Sequence, residues 1–357
     1  MKRLYSRQAV KAQFPKDGQC KLAIVGEAPG ESEAKAGKPF VGSSGRMLDE
    51  WLEAVGIKRE ECLITNVFTE RPKGNEVAQY FVKSTHERAN HKLPKHESHG
   101  YLDTRYNDEL ERLRNELVSV SPRVVLAVGG TALWALTGHS KITKVRGTVL
   151  SSTLVPGAKV VGTFHPSFIM RGNDKHVPTV LSDIRKAWEF AGGTRQTVSR
   201  EVWINPTLKD LELFEEKYLA NAEIVCYDIE TFWQDLRAIK CIGIAADSKA
   251  AIVVPFVDER YRSYWTTAEQ EVKAWLWVKR ILENPATKKL AHNTVYDASW
   301  LYDMGIIIQG EPRDSMLLAH AIDPERKKDL GFLGSLYSNE EAWKTMVKHS
   351  RSNKGNE

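Results

Sequence analysis

LAIVGEAPGESEAKAGKPFVGSSG, residues 22–45, decides the fold of this chain. Its first four residues are an unbroken apolar run, which reads as a strand buried on both faces. Glycines and small residues follow, with one acid, Glu27, directly after the run. Met47, Leu48, Trp51 and Leu52 then recur at helical spacing. A strand feeding a glycine-rich turn and a helix places backbone N–H groups and the Glu27 carboxylate at the mouth of an open sheet, where α/β proteins bind ligands. The spacing is neither G-x-G-x-x-G nor a loop ending in Gly-Lys-Ser/Thr, so nucleotide-type phosphate loops are excluded.

Outward from this stretch the alternation continues. Cys62–Val67, Val124–Val128 and Val160–Phe164 read as strands, and Asp108–Val118, Thr131–Leu136 and Ser182–Glu189 as helices. That order predicts a mainly parallel sheet covered by helices. Ala191–Gln196 is small and polar and reads as a linker. Beyond it, Glu223–Asp228, Ile239–Ala245 and Ala250–Phe256 read as strands, and Thr267–Leu282 as a helix with Thr266 at its N-cap. We therefore divide the chain into residues 1–192, a linker at 193–200, a second domain at 201–349 and a polar, frayed tail at 350–357.

With 357 residues, two cores are expected rather than one. The net charge of +5 is compatible with nucleic-acid binding. No apolar run is long enough to span a bilayer, and the basic N-terminus lacks the apolar core of a signal peptide. Cys20, Cys62, Cys226 and Cys241 form no C-x-x-C pair, which favours reduced thiols in a cytoplasmic setting. The polar segment Glu76–Arg105 carries His86, His91, His96 and His99. These spacings match no zinc finger or helical His pair, so a solvated loop near nucleic acid outweighs a metal site.

Four residues stand out in the first domain: Glu27, Phe40, Asn66 and His165. Taken singly, each has an ordinary structural explanation as a capping acid, core ring, turn amide or loop histidine. Glu27, Asn66 and His165, however, all fall at or just after predicted strand ends, which converge on one crevice. Gly26–Asp49, Thr65-Asn66-Val67 with Arg71-Pro72, Val128-Gly129-Gly130-Thr131-Ala132, Arg146-Gly147 and His165-Pro166-Ser167 together resemble, in that order, the family 4 and family 5 uracil-DNA glycosylases. The likeness covers roughly the first 190 residues.

The resemblance implies a DNA-directed enzyme, single- or double-stranded DNA being its partner, in which a flipped uracil stacks on Phe40. Asn66 would read its edge by donating to one atom and accepting from N3–H. Ala28 would line the C5 side. His165 would hydrogen-bond O2 as negative charge grows there. Glu27 would orient water or stabilise the sugar cation. Phe168–Arg171 would supply an apolar wedge, with Ser167, Met170 and Arg171 touching DNA.

Two departures matter. The family-4 resemblance implies an iron–sulfur cluster on four cysteines, yet Glu70 stands where one ligand is expected, and only Cys20 and Cys62 remain in the domain. No iron–sulfur cluster is expected. Ala34 stands where an acid usually follows Glu33, which questions the local loop geometry.

In the second domain, Tyr227-Asp228-Ile229-Glu230-Thr231 puts two carboxylates on one face of a strand. With His292–Asp297, Arg313–Leu317 and Leu330–Trp343, it resembles the DEDD 3′–5′ exonuclease domain of family A DNA polymerases, its Leu333–Tyr337 most like phage-type members. The fold implied is ribonuclease H-like. Asp228, Glu230 and Asp297 match three metal-binding acids, implying Mg²⁺ or Mn²⁺. The fourth, in a Tyr-x-x-x-Asp motif, is expected beyond residue 357, and Tyr337–Glu341 is not assigned to it.

The expectation is thus a uracil-excising enzyme joined to an incomplete proofreading domain, in a phage-infected bacterial cell, with a separate polymerase or exonuclease polypeptide as partner. The competing reading is a non-catalytic DNA- or uracil-binding module at the front of a split polymerase.

Overall fold

A computed structural model describes residues 9–194, 199–232, 238–258 and 260–339. They form two compact units, the first from residues up to 194 together with 331–339, the second from 199–330. The linker region around 195–198 and the tail from 340 lie outside the described residues.

The first unit is built on β1 (Leu22–Gly26), β2 (Cys62–Asn66), β5 (Val124–Val128), β6 (Val149–Ser151) and β7 (Lys159–Thr163), in the order β2-β1-β5-β7-β6. All neighbours are parallel except β6 on β7. Every residue of β1, β2 and β5 is buried, which is why these strands read as continuous apolar runs. Leu22 and Ile24 face a core shared with α2 (Ser43–Val55) and α7 (Val177–Ala191). Ala23 and Val25 face the opposite core, packed by α3 (Asn107–Val120) and α4 (Gly130–Thr137). Each fully buried Leu or Ile contributes about 1.5–3 kcal/mol, so the sheet is clamped between two apolar layers.

Short elements complete the unit: α1 (Glu31–Ala36), α5 (Ile142–Val145), α6 (Pro166–Ile169), α12 (Leu330–Tyr337), and the hairpin of β3 (Phe81–Val82) with β4 (Tyr101–Leu102). That hairpin corrects the expectation of a solvated Glu76–Arg105 loop. Phe68, Tyr80, Phe81 and Tyr106 pack ring on ring, with Phe68 and Tyr80 stacked at 3.9 Å. Asp103 is fully buried and held by Arg88 and Arg105. His96 is 3% exposed and stacks on His99 at 4.4 Å. Scattered aromatics build this small core without any helical or strand period.

The second unit is a mixed sheet in the order β13-β12-β9-β10-β11-β8: β8 (Glu201–Trp203), β9 (Ile224–Thr231), β10 (Ile239–Ala245), β11 (Ala250–Pro255), β12 (Lys288–Ala291) and β13 (Pro312–Asp314). β9, β10 and β11 form an antiparallel meander, and β12 and β13 run parallel to β9. This is the expected ribonuclease H-like arrangement. Its helices are α8 (Leu208–Phe214), α9 (Ala268–Leu282), α10 (Thr294–Asp303) and α11 (Ser315–Ile322). Thr267, one residue later than expected, caps α9 by accepting from Gln270 N. Among the described residues no helix is long and apolar enough to cross a membrane.

Candidate active site

The crevice lies at the carboxyl ends of the first sheet, where β1 is flanked by β2 on one side and β5 on the other. Connections leave in opposite directions there, which opens a cleft between strand ends. Glu27 follows β1, Asn66 ends β2, Thr131 opens α4 after β5, and His165 follows β7. All of the expected base-contacting residues, Glu27, Ala28, Phe40, Asn66 and His165, line one cavity of about 530 Å³. Ser167, Met170 and Arg171 line the same cavity.

Phe40 is presented by a strained backbone. Its φ of 52° is left-handed, a region bulky residues avoid. Arg59 holds it there, donating to Phe40 O at 3.1 Å and Pro39 O at 2.7 Å while paired to Asp49 at 2.6 Å. Glu33 ties down the rest of the loop. One of its carboxylate oxygens accepts from Val41 N and Gly42 N at 3.1 and 2.7 Å, and the other from Gly30 N at 3.1 Å. These bonds are made without an acid at position 34.

Asn66 sits beside Gly26 through the parallel register of β1 and β2. Arg112 anchors its backbone, donating to Asn66 O at 2.7 Å and Val67 O at 2.9 Å, and is itself paired with Glu116 and Glu109. Glu27 is held from the other side of the cleft, its Oε2 accepting from the Thr131 hydroxyl at 2.5 Å.

His165 caps α6, its Nδ1 accepting from Ser167 N at 3.1 Å, with the Ser167 hydroxyl 2.8 Å away. An Nδ1 that accepts leaves the ring proton on Nε2. Burial, and then the nearby Arg171 guanidinium, push its pKa down to about 4. The imidazole is therefore neutral at pH 7 and presents an N–H donor. Its ring centroid lies 6.1 Å from that of Phe40.

The expected wedge is narrower than its sequence. Ile169 is fully buried and Phe168 stacks on Phe164 at 4.8 Å, leaving Met170, 41% exposed, as the apolar tip. Arg59, Asp49, Glu33, Arg112 and the role of Thr131 were not foreseen. Glu33 and Asp49 lie in the Gly26–Asp49 stretch and Thr131 in Val128–Ala132, whereas Arg59 and Arg112 lie in no motif.

Cys20 and Cys62 are the only cysteines of the first unit's described residues, and burial raises both pKa values, Cys62 to about 12. Two protonated thiols do not supply the four thiolates an iron–sulfur cluster requires, so the donor set does not fit that group.

In the second unit, Asp228 and Glu230 are exposed on β9 while Tyr227 and Ile229 are buried, as the period of two demands. Asp314 accepts from the backbone N–H groups of Asn293, Thr294 and Met316 at 3.1, 2.9 and 2.8 Å, fixing the start of α10. Tyr227 Oη bonds Thr294 Oγ1 at 2.6 Å, and Thr231 Oγ1 bonds Tyr296 Oη at 2.8 Å. Asp297 is thereby brought toward β9 in a buried position. Burial first, then the Asp228 carboxylate, raise its pKa to about 7. Three carboxylates of this kind suit a hard divalent cation. As they stand, no three acids, histidines or cysteines among the described residues close into a metal-ligand cluster.

A ring face, an amide edge, a neutral imidazole donor and an anchored carboxylate line one cleft at the carboxyl ends of an α/β sheet. The profile of the uracil DNA glycosylase superfamily matches residues 13–191, and the chain belongs to that superfamily. It is similar to the type-4 uracil-DNA glycosylase of Thermotoga maritima, 35% identical over 173 residues, spanning 48% of this chain and 77% of that one. The type-4 uracil-DNA glycosylase of Pyrobaculum aerophilum is 48% identical over 73 residues, 20% of this chain and 35% of that one. Among solved structures, Escherichia coli RNase D aligns at a TM-score of 0.30 and 17% identity, over 40% of this chain and 34% of that one. The EXD2 exonuclease domain soaked in Mn and GMP aligns at 0.26 and 18%, over 33% and 58%.

Proposed function

We propose that this chain flips uracil out of DNA and hydrolyses its N-glycosidic bond. The observation that carries this reading is the convergence of Glu27, Phe40, Asn66 and His165 on one cavity, with His165 neutral and its proton on Nε2.

In this mechanism Phe40 stacks on the base, and the Asn66 amide pairs with its edge in a pattern that cytosine does not present. Ala28 lines the C5 side. As the C1′–N1 bond breaks, its electron pair moves onto the uracil ring, and the His165 Nε2–H meets the charge arriving at O2. A neutral donor needs no proton transfer to do this; such donors contribute about 10²–10³ in rate. Water adds at C1′, and the proton it releases neutralises the departing uracil anion. Glu27, fixed by Thr131, orients that water or stabilises the positive sugar. Met170 fills the gap left in the stack, while Ser167 and Arg171 contact the DNA strand.

For the second unit we propose that Asp228, Glu230 and Asp297 would be three of the four ligands for Mg²⁺ or Mn²⁺, which would supply Lewis-acid activation of water for release of 3′ nucleotides, weakly so while the fourth acid is missing. The lookalike Glu341 lies outside the described residues. The order of the two domains supports a replication setting, alongside a phage-type family A polymerase in an infected bacterial cell.

The test is single-turnover excision on uracil-containing single- and double-stranded DNA. The wild type should form abasic sites, and Asn66→Ala should lower the rate at least 100-fold. Binding without abasic-site formation, unchanged by Asn66→Ala, would instead establish the binding-module reading.

A further inference from the structure

Lys186 is only 2% exposed, far from water for an ammonium group. It donates to the carbonyl oxygens of Gly147 at 2.8 Å, of Ser335, and of Ser338 at 2.8 Å. Two of these acceptors come from α12 and the residue that follows it, 149 and 152 positions along the chain. Arg146, equally buried, forks onto Asp183 with Nε to Oδ2 at 2.8 Å, and reaches Ser335 Oγ at 3.1 Å. Its guanidinium lies 5.2 Å from the Phe332 ring centroid. Leu333, Ser335 and Leu336 of the same segment are buried.

The arrangement has a charge logic. Arg146 and Lys186 bring two buried positive charges and Asp183 one negative. Charges this deeply buried must be met by protein groups rather than water. The last four carbonyls of a helix lack intrahelical partners and carry the negative end of its dipole, about half a charge. Ser335 O is one of them. Gly147 keeps the approach open, since a Cβ there would lie 3.2 Å from Ser335 O.

We infer that the Arg146–Asp183–Lys186 cluster is a receptor for the carbonyl end of a helix, with residues Phe332–Ser338 as its resident occupant. The first unit is therefore completed by a segment that follows the entire second unit in the chain. Without the occupant, Lys186 would lose the Ser335 and Ser338 carbonyls. The inference rests on packing and charge, and stands whether or not the cleft excises uracil.

A site-specific protease sequence inserted in the exposed stretch Pro324–Asp329 of the full chain allows the segment to be cut free without removing it. The nicked wild-type chain should retain the C-terminal fragment through size exclusion. Lys186→Met on the receptor side and Leu336→Asp on the occupant side should each speed its release at least ten-fold. Leu336→Asp alters only the segment, so misfolding of the receptor cannot produce that result. In the uncut chain, the Ser338 amide, bonded to Gly334 O at 2.9 Å, should exchange as slowly as amides in the middle of α7. Immediate loss of the fragment from the nicked wild type, release rates indifferent to both substitutions, or fraying-rate exchange at Ser338 would each overturn the inference.

Discussion

Gly26→Ala is the most direct test of how the base pocket is built. An added Cβ would lie 2.5 Å from Phe40 Cζ and 2.6 Å from Cε2, and closer still to Asn66 Oδ1. An ordinary carbon contact is ~3.5 Å, so the Phe40 ring must yield by about 1 Å. It is buried in the core of Leu48, Trp51 and Leu52, and its backbone is pinned by Arg59. The Asn66 backbone is pinned by Arg112. The displacement therefore falls on the two side-chain tips proposed to hold the base. Misplacement by this distance costs about 100-fold in rate, or ~2.7 kcal/mol of barrier. Overpacking should take only about 1–3 kcal/mol from stability, leaving the domain folded at 25 °C. Single-turnover excision, thermal melting and affinity for undamaged DNA separate these effects. The rate should fall about 100-fold while affinity for undamaged DNA holds. A Gly26→Ala chain excising within three-fold of wild type would refute this account of the pocket.

Arg59 tests whether the strained Phe40 backbone matters. Arg59→Ala removes the anchors on Pro39 and Phe40, and Arg59→Lys cannot fork to both carbonyls and Asp49; both should lower excision at least ten-fold, and full activity in the lysine variant counts against the anchoring role. Acid should destabilise the first unit through His96, which burial and then His99 hold at a pKa of about 4 against an ordinary 6.5. The unfolded chain takes up this proton below pH 6.5 and the folded chain only near 4, so stability is full above 6.5 and declines as pH falls through that window. At pH 5 the loss is about 2 kcal/mol; denaturant melts at pH 7 and 5 measure it, and an unchanged difference in His96→Gln would reject the assignment. His165, held low in the same direction, predicts that excision by protein still folded persists to about pH 5.

The strands of the first sheet were legible because β1, β2 and β5 are buried on both faces, and burial on both faces writes itself as an apolar run. The pocket residues were legible because three of them sit at strand ends. What holds them was not. Arg59 reaches Pro39 and Phe40 from 20 and 19 residues away, and Arg112 reaches Asn66 from 46. A charged side chain recruited across the fold to cap a carbonyl leaves no local period. The Glu76–Arg105 hairpin was misread for a related reason, its polar residues masking a core of Tyr80, Phe81 and Leu102 spaced irregularly. The motif groups residues 331–339 with the second domain, whereas they cluster with the first unit and bond Arg146 and Lys186.

That packing sets a timetable for synthesis. When residue 194 leaves the ribosome, the sheet of the first unit is all present, but the helix that quenches its buried lysine is not. Another 136 residues, 195 to 330, must be translated first. At about 5–20 residues per second the wait is on the order of 10 s, far longer than the microseconds a small chain needs to collapse. During that interval the nascent domain carries an open socket, and the second unit emerges while the first is still unsealed. The glycosylase-like fold thus waits for residues that follow the entire second unit, making translation through residue 339 a checkpoint on the integrity of the first unit.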